Sequence, residues 1–234
     1  MITDLAETYA AVKTTRSPEY NRRIAAHEIG GHAFVARALG TSVDFVTIIP
    51  DGEFAGRCVR RGAPSASLNL LDEWKQKPVA TTEEIVNVCA QIGPLEIGAP
   101  RVETAEEIAR AMVLITELVA GRVCERVLFP DHSPLPAEHD VIEAMAIASV
   151  VSASPAALVT YCEAEAGALI QGNLSVVSAL TDALVEKGTL VGDEVDQIIS
   201  ATLAAETLAA EHERRKRWHD VIASASTFKA EHHG

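Results

Sequence analysis

The sequence of 234 residues predicts a mainly α-helical domain of the α+β class, with one small β-hairpin. Three observations predict it. Aromatic residues make up only 4% of the chain, and alanine, valine and leucine dominate, which favours helices packed through small and aliphatic side chains. Apolar spacing and capping signals mark a succession of helices. One β-branched stretch, VDFVTII at residues 43–49, is followed by the turn residues Pro50-Asp51-Gly52.

The elements follow in order from local signals. Gly40 ends the first long helix, Pro130 ends the central one, and Thr81-x-x-Glu84 and Thr104-x-x-Glu107 read as capping boxes. Ser154-Pro155 fits an N-cap with proline at the first helical position. The predicted helices are 5–12, 21–39, 81–91, 104–129, 138–149, 155–172, 174–186 and 193–221, and the predicted strands are 43–49 and 54–60.

The domain organisation is simple, because no repeat or low-complexity linker divides the chain. We expect a single domain over residues 1–234. Residues 61–103 read as an insertion between the hairpin and the central helix, forming a lid or a partner surface. Residues 222–234 read as a flexible tail.

Composition excludes two classes of partner. The net charge of −13 argues against nucleic acid and against an anionic membrane, because both are bound through clustered Lys and Arg. The basic run at residues 214–217 reads as a solvated helix end. Four scattered cysteines without a C-x-x-C pair indicate reduced thiols, and the most apolar stretch is too broken for a membrane span. We therefore expect a soluble, cytoplasmic protein.

The stretch AAHEIGGHAF at residues 25–34 carries the candidate chemistry. Zinc-peptidase helices read H-E-x-x-H, where two histidines four residues apart bind the metal and the glutamate is the general base. Here His27 and His32 are five residues apart, so a regular helix would separate them by about 140°. A π-bulge absorbs one extra residue through an i→i+5 hydrogen bond. Gly30 and Gly31, which are costly inside a straight helix, suggest such a distortion, a closely approaching neighbour, or both.

Two alternatives stay open at this point. On an undistorted helix Glu28 and His32 form the i,i+4 pair and could ligate a metal together while His27 points elsewhere. Alternatively, both histidines only satisfy hydrogen bonds in the core.

Four segments together resemble the peptidase domain of the FtsH family of ATP-dependent zinc proteases. RRIAAHEIGGHAFVARAL and FVTIIPDGEFAGRCV resemble its metal-binding helix and the hairpin after it. TAEEIARAMVLITELVAGRVCERVLF resembles its long helix, with a G-R-x-x-E core at Gly121, Arg122 and Glu125. LTDALVEKGTLVGDEVDQII is similar to its C-terminal helix-turn-helix. The resemblance implies an FtsH-like peptidase fold over about residues 20–200.

The resemblance also implies a third metal ligand, early in the helix after the G-R-x-x-E helix. The matching position is Asp140, with His132, Glu138 and His139 as competitors. The implied function is a zinc-dependent endopeptidase in which His27, His32 and Asp140 bind Zn²⁺ and Glu28 takes a proton from the activated water. Extended substrate would add to the exposed edge of the hairpin.

One departure from the family bears on its partners. No G-x-x-x-x-G-K-[ST] motif occurs in the chain, so we expect unfolded peptide or protein substrates, taken directly or supplied by a separate ATPase. Since the family works as rings, a homo-oligomer is a further expectation.

The extra residue between Glu28 and His32 leaves two rival functions open. One is a degenerate peptidase fold that serves as a binding or scaffold protein, and the other is a different metal protein that uses Glu28 and His32.

Overall fold

The computed structural model describes residues 9, 11, 15–50, 54–61, 101–135 and 137–232. Of these, 76% are helical, and a small three-stranded antiparallel sheet accompanies the helices. The predicted fold class, mainly α with a small β-sheet, is confirmed.

The elements are named here in chain order. They are α1 (Pro18–Ala25), a π-helix (Ala26–Ala33), α2 (Phe34–Ala38), β1 (Ser42–Thr47), β2 (Arg57–Arg61), α3 (Arg101–Leu128), α4 (Glu138–Val151), α5 (Pro155–Gln171), α6 (Leu174–Lys187), β3 (Thr189–Val191) and α7 (Gly192–His232).

The first predicted helix, 21–39, is three consecutive helical segments. It begins earlier than predicted because Ser17 caps it: the Ser17 hydroxyl accepts a hydrogen bond from the Tyr20 backbone N–H, and Pro18 occupies the first turn. The middle segment is π-helical over eight residues. The distortion predicted from Gly30 and Gly31 is therefore present, and the segment is not a straight α-helix.

The sheet has the order β2-β1-β3, with both pairings antiparallel. β1 and β2 form the predicted hairpin, with an irregularity in register between Val43 and Phe45. β3 was not predicted. It pairs Val191 with Phe45 and Thr189 with Thr47, so it occupies the second edge of β1. Among the described strands, the edge of the hairpin left for an added strand is therefore the outer edge of β2.

α3 is the central helix of the core. It packs against the π-helix on one side and against α4 and α5 on the other. Its apolar positions Ile115, Val119 and Cys124 are fully buried. The His-Glu-His segment therefore packs directly on α3.

Several predicted boundaries are wrong. α3 begins at Arg101, before the predicted capping box at residue 104, and α7 continues to His232, well past the predicted end near residue 221. The predicted helix 81–91 lies outside the described residues, as does almost all of the predicted insertion. Of the predicted helix 5–12, only Tyr9 and Ala11 are described, and both are helical.

Among the described residues no single helix is long and apolar enough to cross a membrane. Only α4 and α5 taken together meet the length and composition test, and they are bent by 119° at their junction.

Candidate metal centre

His27, His32 and Asp140 converge at one point, where the π-helix faces the start of α4. One ligand atom from each lies within 4.8 Å of the others. Asp140 Oδ2 is 3.4 Å from His27 Nε2 and 3.5 Å from His32 Nε2, and the two imidazole centroids are 4.8 Å apart.

These separations fit a metal better than they fit direct hydrogen bonds. An N–H···O bond is normally about 2.9–3.0 Å long. Ligand atoms bound tetrahedrally at about 2.0–2.2 Å would lie roughly 3.3–3.6 Å from one another. Both Nε2–Asp140 distances fall in the second range. Two imidazoles and a carboxylate are also the donor types that Zn²⁺ accepts in catalytic sites with one open position.

Both imidazoles are held at their second nitrogen by an acceptor. His27 Nδ1 lies 2.8 Å from Glu125 Oε1, and His32 Nδ1 lies 2.7 Å from the Glu117 backbone oxygen. A hydrogen on each Nδ1 satisfies these acceptors and leaves the Nε2 lone pair directed at the common point. This is the arrangement by which partners of metal-bound histidines fix tautomer and ring orientation.

Glu125 connects three parts of the site. Its side chain is 1% exposed, and beside His27 it accepts hydrogen bonds from Arg23 at 3.3 Å and from the Leu135 backbone N–H at 3.0 Å. Arg23 also donates to the Ser133 carbonyl. Glu125 therefore ties α1, the π-helix and the loop that leads to Asp140 to one buried carboxylate.

Glu117 connects the site to the hairpin in a similar way. Its side chain is 4% exposed, and the two carboxylate oxygens accept hydrogen bonds from Thr41 at 2.7 Å and from Arg60 at 3.0 Å. Its backbone oxygen meanwhile accepts from His32. Strand β2, which carries Arg60, is thereby fixed relative to the candidate ligands.

Glycine allows the close approach of these elements. A Cβ on Gly30 would lie 2.8 Å from Cys124 Sγ, and one on Gly121 would overlap the His27 ring. A Cβ on Gly56 would lie 2.8 Å from Glu28 Cγ. Of the two explanations offered for the paired glycines, a deformed backbone and a close neighbour, the structure shows both.

Glu28 is partly exposed and is not a member of the three-residue cluster. Its Cγ lies beside Gly56, where the chain enters β2. The alternative in which Glu28 and His32 bind metal while His27 points elsewhere does not describe this site, because His27 faces Asp140 together with His32.

Two of the other candidates for third ligand lie apart from the cluster. His132 pairs with Glu19 at 2.7 Å on the surface, and His139 is exposed. Glu138 begins α4, but its side chain is outside the described part of the structure. Among the candidates with described side chains, Asp140 is the one that lies near both histidines.

The charges of His27, His32 and Asp140 shift one another's pKa values. Burial by itself would lower the pKa of His27, but the neighbouring carboxylates of Asp140 and Glu125 favour the charged form, outweigh burial and raise that pKa to about 10. The pKa of His32 is also raised: burial opposes the charged form, and the Asp140 carboxylate favours it. Burial would raise the pKa of Asp140, but the two imidazoles hold it well below its usual range. Burial raises the pKa of Glu28 above its usual value, although His32 and His27 oppose that shift.

Sequence reasoning missed the partners behind the ligands. Glu125 was noted only as a motif residue, and Glu117 and Arg23 were not singled out. A signal was present, since Glu117 and Glu125 are the acidic residues within the apolar stretch MVLITELVAGRVCERVLF of α3. A charged side chain in such a stretch is buried only when it is paired.

Comparison with models of known protein families gives no match for this chain. Comparison with curated protein sequences also gives no match. The case for a function therefore rests on the geometry of the site and on the motifs in the sequence.

Proposed function

We propose that this protein is a zinc-dependent endopeptidase of the FtsH type, acting on unfolded peptide segments. The observation that carries the proposal is the convergence of His27, His32 and Asp140 across a π-helix, with Nε2–Oδ2 separations of 3.4 and 3.5 Å. The order of the four FtsH-like segments in the sequence supports it.

His27 Nε2, His32 Nε2 and Asp140 Oδ2 would hold the ion, and Glu125 and the Glu117 carbonyl would keep the two rings in place. When bound, Zn²⁺ supplies a Lewis acid that acidifies water and polarises a peptide carbonyl.

Glu28 would act as the general base. It lies between the two histidines within the π-helix, and it is partly exposed, so a water molecule can reach it. Burial raises the pKa of its carboxyl group, which brings the group closer to the range where a base works well near neutral pH. Its carboxylate would accept the proton of the attacking water and later return it to the leaving amine.

β2 would position an extended substrate. The outer edge of β2 is unpaired among the described strands. Gly56, the residue before β2, lies against Glu28 Cγ. A peptide that added to this edge would hydrogen-bond to the strand backbone and so run past the general base.

Glu28→Gln tests the mechanism. We expect hydrolysis of an unstructured, fluorescence-quenched peptide to fall by about 10²- to 10⁴-fold, because the amide cannot accept the proton. Bound zinc should persist, since Glu28 is not among the three converging ligands. Glu19→Gln is the matched control, because it removes an exposed carboxylate that pairs with His132.

The wild-type chain decides between this proposal and its rival. Hydrolysis that chelation abolishes and added zinc restores would support the peptidase. One zinc per chain with no hydrolysis of a broad library of unstructured peptides would contradict it and indicate a metal-containing binding protein on a peptidase fold.

A further inference from the structure

Residues 203–224 of α7 have little of their surface packed against the rest of the described chain. α7 has 41 residues, which corresponds to about 60 Å. Its first turns pack on α6 and the sheet through Val195, Ile198 and Ile199. From Leu203 to Ser224 every residue is exposed except Glu211, which is partly buried. Helices in water gain most of their stability from a packed face, so this part of α7 would be stabilised by a partner surface.

One face of α7 has coiled-coil spacing. Seven positions alternate three and four residues apart, and we call this face the α7 seam. Its members are Ala201, Ala204, Leu208, Glu211, Arg215, Trp218 and Ile222. At 100° per residue the seam lies opposite Val195, Ile199 and Thr202, which face the body. Trp218 is 64% exposed and Leu208 is 56% exposed, so the largest apolar side chains of the seam lie in solvent.

The α7 seam is complementary to itself in the antiparallel direction. Consider two antiparallel copies of the helix in which the twofold axis crosses the seam at the level of Glu213. Leu208 then faces Trp218 of the second copy, and Ala204 faces Ile222. In the same register Glu211 faces Arg215. Each pairing occurs twice by symmetry. The smaller apolar side chains thus face the larger ones, and each acidic side chain faces a basic one. A parallel in-register pair would instead set Glu211 against Glu211.

We propose that a second copy of this chain covers the α7 seam, forming an antiparallel two-stranded coiled coil. Charge complementarity favours this occupant over an anionic surface. Of the basic run, Arg214 and Arg215 already pair with Glu211 at 2.6 Å, and the chain as a whole carries a net charge of −13. The proposal does not depend on the metal centre.

A charge-swap mixing experiment on the full chain tests it. Glu211→Arg alone places Arg against Arg across the twofold axis, and Arg215→Glu alone places Glu against Glu. We expect each variant to dimerise about tenfold more weakly, or worse, than the wild type. Mixing the two restores both attractive pairs, so the mixture should sediment at twice the chain mass of 24.9 kDa.

The mixture also separates this proposal from an effect inside one helix. Glu211 and Arg215 pair within their own chain, and each single variant loses that pair, whether it is mixed or not. Only a contact between chains predicts rescue on mixing. The matched control is Glu213→Arg and Arg217→Glu, an exposed i,i+4 pair on the opposite face of the same helix. We expect both control variants to dimerise as the wild type does.

Three results would overturn the proposal. The first is a wild-type chain that remains monomeric in sedimentation equilibrium at 100 µM. The second is a mixture that stays as weak as its components. The third is a monomeric chain that binds vesicles containing phosphatidylserine, which would assign the seam to a membrane surface.

A crosslinking measurement fixes the register. Leu208→Cys mixed with Trp218→Cys should give a disulfide-linked dimer on mild oxidation, because the two positions face each other. Leu208→Cys mixed with Glu213→Cys should not. Equal crosslinking in both mixtures would contradict the antiparallel register.

Discussion

Gly31 and Gly121 bring the π-helix and α3 into direct backbone contact. A Cβ on Gly31 would lie 2.5 Å from Gly121 Cα and 2.6 Å from Gly121 N. This crossing sets the distance between His27 and Glu125 and between His32 and the Glu117 carbonyl, because each pair joins the same two helices. The geometry of the candidate metal centre therefore depends on a contact that only glycine permits.

Gly31→Ala should weaken both the fold and the metal site. The methyl group would meet backbone atoms that cannot rotate away, so the two helices must move apart. We expect a loss of about 1–3 kcal/mol in the free energy of unfolding, measured by urea denaturation, and weaker zinc binding in a competition titration.

Gly167→Ala in α5 is the control for this prediction. Its Cβ would lie 3.7 Å from Val123 Cγ1, an ordinary contact. We expect it to be neutral or to stabilise the fold by up to about 1 kcal/mol, because alanine is favoured over glycine inside a helix. If Gly31→Ala matched Gly167→Ala in stability and in zinc affinity, the close contact would not matter.

Glu125→Gln should lower zinc affinity by about 10- to 100-fold, as is usual when the partner of a metal-bound histidine is altered. The amide can still accept from His27, but its N–H₂ group would face Arg23 and the Leu135 N–H, which are both donors. Competition with a chromogenic chelator measures the change. Glu163→Gln is the matched control, since Glu163 pairs with Arg122 and Arg126 on α3. An unchanged zinc affinity in both variants would contradict the role of Glu125.

Zinc affinity should rise with pH. Binding requires neutral imidazoles, whereas the pKa of His27 is raised to about 10 and that of His32 is raised as well in the metal-free site. Near pH 7 we expect binding to release at least one proton, the one held by His27. Calorimetry in buffers of different ionisation enthalpy counts the protons released. A proton release near zero, with an affinity that does not change between pH 6 and 9, would contradict the coupling.

The metal-free protein should lose stability as pH rises. The charged form of His27 is favoured in the folded state, since its pKa moves from 6.5 to about 10. That contribution is complete below pH 6.5 and is lost as pH rises towards 10. Asp140 has a lowered pKa, so its contribution is present above pH 3.8 and is lost as pH falls below it. Thermal unfolding from pH 5 to 10 in the presence of a chelator measures the trend. Stability that increases over that range would show that the histidines are not paired as described.

The sequence predicted those parts of the structure that depend on local signals. Paired glycines in HEIGGH indicated a distorted helix, and turn residues after VDFVTII indicated the hairpin. β3 was missed because its three residues carry no periodicity of their own. It forms because Gly188, at φ +80°, ends α6 and turns the chain back onto β1.

The candidate metal centre was likewise predictable only in part. The spacing of His27 and His32 could be read from the sequence, and the resemblance to FtsH peptidases implied Asp140. The burial of Glu125 and Glu117 could not be read in the same way, because it depends on how α3 packs against the π-helix.

Diffraction from zinc-soaked crystals at the zinc absorption edge shows directly whether His27, His32 and Asp140 bind one zinc ion. We expect one anomalous peak, about 2.0–2.2 Å from His27 Nε2, His32 Nε2 and an oxygen of Asp140, with residues 26–33 still π-helical. A regular α-helix with no peak between the two imidazoles, or a peak ligated by Glu28 in place of His27, would contradict this expectation.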